Sequence, residues 1–112
     1  MNDDAAIWVV FATAPESEAS TLSKILVEEG LVACVNITEK IRSIYAWEGK
    51  ICEDHESLLV MKTVARKYEE LQQRIRSLHS YDTPEIIAIP AAAASADYAQ
   101  WVREVVGEGL IK

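Results

Sequence analysis

The chain has 112 residues, 50% of them apolar and 26% charged, which describes one folded domain over 1–112 that needs no staples. A net charge of −7 argues against nucleic acid as a partner, because phosphate contacts need clustered Lys and Arg. The acidic start, Met1-Asn2-Asp3-Asp4, and the short apolar run Ile7–Ala14 match neither a signal peptide nor a membrane span, so a cytoplasmic protein is expected.

In chain order, the β-branched and aromatic run Ile7–Ala12 predicts a strand buried on both faces. Pro15, Glu16 and Glu18 suit the first turn of a helix, and Ala19, Leu22, Ile25 and Leu26 form its apolar stripe, with Gly30 placed to end it. Glu28 and Glu29 oppose the dipole at that helix's C-terminus, and nothing in the sequence compensates them. Leu31–Ile37 is a second strand, bent at Thr38-Glu39-Lys40 before Ile41. It continues as one arm of a long hairpin that turns at Glu48-Gly49 and returns over Ile51–Lys62. Tyr68, Leu71, Ile75 and Leu78 share one face of a helix. His79–Pro84 is a loop, Glu85–Ile89 a short strand stopped by Pro90, and Ser95 caps a last helix carrying Tyr98, Trp101, Val102 and Val105, with Gly107 past its end. Trp8, Tyr98 and Trp101 are expected in the core. Cys34 and Cys52, without CxxC spacing, are expected as buried thiols on strands.

Strand, helix, strand, strand, helix, strand, with one helix appended, is the α+β class: a ferredoxin-like split βαβ sandwich (βαββαβ plus a C-terminal helix) with a long β2–β3 hairpin. Its central strands are the apolar runs Ile7–Ala12 and Ser57–Met61. Fully extended at ~3.3 Å per residue, Val32–Glu48 reaches about 55 Å. A domain of this length has a radius of gyration of about 13 Å. The hairpin therefore overhangs its own domain and needs sister chains to cover it. Tyr45 and Trp47, two residues apart on one strand face, are the expected interface anchors.

The strings Leu31-Val32-Ala33-Cys34-Val35-Asn36-Ile37 and Ser43-Ile44-Tyr45-Ala46-Trp47-Glu48-Gly49-Lys50-Ile51 resemble the CutA family of divalent-cation tolerance proteins. So do Thr13-Ala14-Pro15, Glu56, Lys62-Thr63, His79–Ile86, and Tyr98 with Trp101. The resemblance implies a ferredoxin-like subunit in a tight homotrimer, similar in architecture to the PII signalling proteins, and a role in tolerance of divalent ions such as copper. It also has departures. Ser80 stands where the family commonly has Pro in its His-Pro-Tyr loop, and Ala12 and Leu78 stand where some members have a Cys and a second His.

The ligand-binding candidates are Lys62, His79, Tyr81, Glu85 and Glu56, lining a polar cleft between subunits. His79 and Glu85 are the metal candidates, since imidazole and carboxylate suit copper or zinc. The competing reading makes His79 an anchor of the helix end and pairs Glu85 with Lys62. Strand alternation divides Glu53-Asp54-His55-Glu56 between two faces, which favours a solvated edge over a cation site. Neither a GxSxG nor a Walker motif is present, so no enzymatic activity and no required cofactor are expected. The alternative reading is a PII-like sensor, holding an anionic or zwitterionic metabolite against Lys62 and His79, or a trimeric scaffold that docks other proteins.

Overall fold

The computed structural model describes residues 3–107. Its elements are β1 (Ile7–Ala14), α1 (Glu16–Glu28), β2 (Cys34–Trp47), β3 (Lys50–Val64), α2 (Tyr68–Leu78), β4 (Ile86–Pro90) and α3 (Ala96–Val105), with a 3-10 turn at Ala65–Lys67. The sheet is antiparallel in the order β2-β3-β1-β4, so the ferredoxin-like arrangement and its two central strands are as expected. β1 runs two residues beyond its predicted end, because Thr13 and Ala14 still pair with Leu58 and Ser57. Pro90 does not stop β4 but is its last residue, opposite Trp8. β4 is an edge strand, where a missing N–H costs no ladder bond.

One sheet face packs on α1 and α2. Ala19, Leu22 and Leu26 from α1 and Leu71 and Ile75 from α2 meet Val10, Ala12, Leu59 and Met61 in one core cluster. Each fully buried leucine contributes about 1.5–3 kcal/mol of apolar transfer. α1 ends as a Schellman motif: Leu31 N–H bonds Leu26 C=O at 3.1 Å and Gly30 N–H bonds Val27 C=O at 3.0 Å, with Gly30 at φ 73°. Leu26 and Leu31 both join the core there, so the cap and the packing reinforce each other.

α3 covers only one end of the molecule. Ala99, Val102 and Val106 close on Ile7, Ala33 and Val64 as a second small core. Tyr98 and Trp101 stay exposed, contrary to the core position expected of them, because α3 turns Ala99 and Val102 inward instead. Trp8 is half-buried against Tyr68, its ring centroid 5.6 Å away. Cys34 and Cys52 are free and lie on strands, but they are half-buried rather than buried.

The opposite sheet face is left largely open. Val9 and Phe11 on β1 are only partly covered, so β1 is not buried on both faces as expected. Beside them on β4, Ile87 and Ile89 are 54% and 51% exposed. Beyond Ser57 the β2–β3 arm continues with no sheet neighbour on β1. It bends where Glu39 and Lys40 together oppose a single residue, between the pairs Thr38–Leu58 and Ile41–Glu56, with Lys40 at φ 58°. That bulge and the strand twist hold the longest dimension to 43 Å, short of the extended-chain figure, yet the radius of gyration is still 14.7 Å.

Candidate functional site

Register assigns the side chains of the overhanging arm. Paired residues share a face, so Tyr45, Trp47, Lys50, Cys52, Asp54 and Glu56 lie on one side, and Ile44, Ala46, Ile51, Glu53 and His55 on the other. Glu53-Asp54-His55-Glu56 is divided as alternation requires: Glu53 accepts from Arg42 at 2.7 Å, whereas Asp54 accepts from the Tyr45 hydroxyl. That hydrogen bond, with burial and the Asp54 charge adding to it, pushes the Tyr45 hydroxyl up to about 12.

The loop after α2 lies against this arm. His79 closes α2 through its own N–H to Ile75 C=O at 2.9 Å and is buried. Its ring takes a definite tautomer. Tyr81 N–H donates to Nδ1 at 3.0 Å, so the proton sits on Nε2, which donates to Thr13 C=O at 2.8 Å. Both nitrogens are thereby engaged in pinning the loop to the end of β1. The imidazole has no lone pair left for an ion, so the anchoring reading of His79 describes the observed geometry. Glu85 is exposed just before β4 and makes no ion pair with Lys62 among the described residues.

Lys62 donates instead to the Asn36 side chain, on the open sheet face beside Val9 and Cys34. His79 is anchored at Thr13, which pairs with Leu58, four residues down β3 from Lys62 and about 13 Å at strand spacing. Within one chain, therefore, the five ligand candidates do not converge. His79, Tyr81 and Glu56 come together; Lys62 does not join them. The His79 and Tyr81 rings are 4.8 Å apart. Burial, then the charges of Glu56, Asp54 and Glu18, hold the Tyr81 hydroxyl above its usual range.

Between the arm and the loop lies a cavity of about 280 Å³ lined by Tyr45, Trp47, Tyr81, Asp82 and Thr83. Asp82 and Thr83 are not among the candidates the sequence offers; their signals there are the loop before Pro84 and the family-like string His79–Ile86. Among the described residues no three His, Cys, Asp or Glu side chains converge as an ion's ligands would. The donor set of the described residues does not fit a resident metal.

Elsewhere, the Cys34 thiol lies 3.4 Å from the Tyr98 hydroxyl. That hydrogen bond, with burial, pushes Tyr98 up to about 12.

A ferredoxin-like α+β domain with an overlong hairpin and an open sheet face is the class this geometry defines. Residues 7–105 match the family model described as CutA1 divalent ion tolerance protein, and the chain belongs to that family. It is 46% identical over 100 residues to the divalent-cation tolerance protein CutA of Thermus thermophilus, covering 88% of this chain and 97% of that protein. It is 41% identical over 101 residues to the human protein CutA, covering 89% of this chain but 56% of the human one. Among solved structures, the divalent cation tolerance protein of Thermus thermophilus superposes with a TM-score of 0.88 at 45% identity, covering 90% of this chain and 99% of the other. CutA1 from Oryza sativa superposes at 0.89 with 35% identity, covering 93% and 96%.

Proposed function

We propose that the protein is a non-enzymatic homotrimer of the cell interior that takes part in tolerance of divalent metal ions. The observation that carries this reading is the uncovered apolar surface. Ile87 and Ile89, beside Val9 and Phe11, form one such area on the sheet. Ile44 and Ile51, 61% and 84% exposed on one side of the arm, form a second. Side chains of this kind in contiguous rows mark an interface, and two separate rows let each copy contact two neighbours. Three-fold closure is what the resemblance to trimeric CutA proteins implies. The metal role follows the family, whose model and whose Thermus thermophilus relative carry divalent-ion tolerance in their names. With no converging ligand set in one chain, any ion bound by the assembly is held between subunits or in exchange with solvent.

Light scattering on the purified protein is expected to give three times the 12.5 kDa chain mass at micromolar concentration, with thermal unfolding that shifts upward as protein concentration rises. A folded species of 12.5 kDa under those conditions would overturn the assembly reading. Equilibrium dialysis of the assembled protein against copper and zinc salts checks the second part. Retention of metal by the wild type, lost on substituting an acidic residue at a subunit seam, is the expected result.

A further inference from the structure

The cavity between the arm and the 79–85 loop has the wrong chemistry for an anion. Its three aromatic lining residues come from two separate places in the chain: Tyr45 and Trp47 on β2 and Tyr81 in the loop. Asp82 lines it directly. Asp54 is tied to the Tyr45 hydroxyl, and Glu56, Asp54 and Glu18 all lie within electrostatic reach of the Tyr81 hydroxyl. Glu56, on the same side of the arm, is 7% exposed. On this side of the arm Lys50, directly opposite Trp47, is the one basic residue among those described, whereas Arg42 is on the other side with Glu53.

We propose that this pocket binds an organic cation of the alkylammonium class, its head set among the rings of Tyr45, Trp47 and Tyr81 with Asp82 as countercharge. Aromatic rings attract such a head through their quadrupoles, and the surrounding carboxylates raise the local cation concentration. A hard divalent ion is the poorer match, because it needs converging oxygens, and here rings converge instead. An anionic metabolite meets Glu18, Asp54, Glu56 and Asp82 with a single opposing lysine. The volume of about 280 Å³ admits a small amine rather than a nucleotide. All five lining residues belong to one chain, and the inference assigns Tyr45 and Trp47 to this pocket instead of to the interface between copies expected of them from the sequence.

The test is calorimetric titration of the purified protein with choline chloride and, in parallel, with its neutral isostere 3,3-dimethylbutan-1-ol. Saturable binding of choline is expected, with the isostere roughly 10-fold weaker or more. Asp82→Asn should weaken choline by about 10-fold, Trp47→Leu should remove binding, and Lys50→Gln should tighten it, since a competing charge is gone. Circular dichroism and light scattering on each variant separate lost binding from lost fold. Equal binding of the isostere, or no heat with choline in either the wild type or Lys50→Gln, overturns the proposal. Choline binding by a protein that scatters as a monomer would sink the assembly reading while leaving this one intact.

Discussion

Glu29 and Arg74 show what a single residue can conceal in sequence. Glu28 and Glu29 stand against the negative end of α1, an arrangement that local rules score as unfavourable. Arg74, 45 positions later on α2, reaches both Glu29 oxygens at 2.8 and 2.7 Å and supplies the missing positive charge. The Arg74 hydrogen bond, opposed by burial and helped by the guanidinium charge, lowers the Glu29 carboxyl below its ordinary 4.5. A depressed folded-state value means stability that is present above the unfolded value of 4.5 and lost as pH falls through the lower folded one. The melting-temperature gap between wild type and Arg74→Ala is therefore expected to be constant near neutrality and to close in that acidic window. Added salt should narrow it too, because both side chains are more than a third exposed. His79 is the opposite case, a buried ring whose two partners are backbone groups. His79→Ala strands Thr13 C=O and Tyr81 N–H and should cost about 2 kcal/mol or more, measured by denaturant titration at fixed protein concentration. An unchanged midpoint would mean that water replaces both bonds without penalty.

At the scale of elements, the hairpin turn was legible and its cost was not. Glu48 and Gly49 adopt φ 50° and 77°, the two-residue arrangement with both central residues left-handed that suits strand twist. Gly49 meets that demand freely, but Glu48 does not. Glu48→Asn should raise stability by roughly 0.5–1 kcal/mol, and Gly49→Ala should lower it by about 1 kcal/mol. Nothing lies within 4 Å of a Cβ added at Gly49, so its loss would be a backbone effect alone. Chemical denaturation of the two variants gives the comparison, and equal effects of both would refute the left-handed assignment. The bulge at Glu39-Lys40 was visible only as a bend. Its consequence, keeping Tyr45, Trp47 and Glu56 on one side of the arm, depends on counting residues on both strands at once.

Over the whole molecule, the decisive feature is surface that folding of one chain does not cover. If the β4 face is an interface, the double variant Ile87→Lys, Ile89→Lys should sediment as a smaller species and melt lower. Its sheet should persist, because both side chains are about half exposed in the single chain. An unchanged sedimentation profile would remove that face from the interface and leave the arm alone to account for assembly.

The sequence by itself determined the elements, their order, the central strands, the turn at Glu48-Gly49 and the family. Those follow from side-chain periodicity and from turn residues, which act over a few positions. Only the tertiary structure decided which candidates meet. Lys62 was separated from His79 by strand register, His79 was committed to backbone partners, and Tyr98 and Trp101 were left outside the core by the rotation of α3. The aromatic and acidic pocket also arises only in three dimensions. Convergence of groups far apart in the chain is set by packing and twist, which local pattern does not encode.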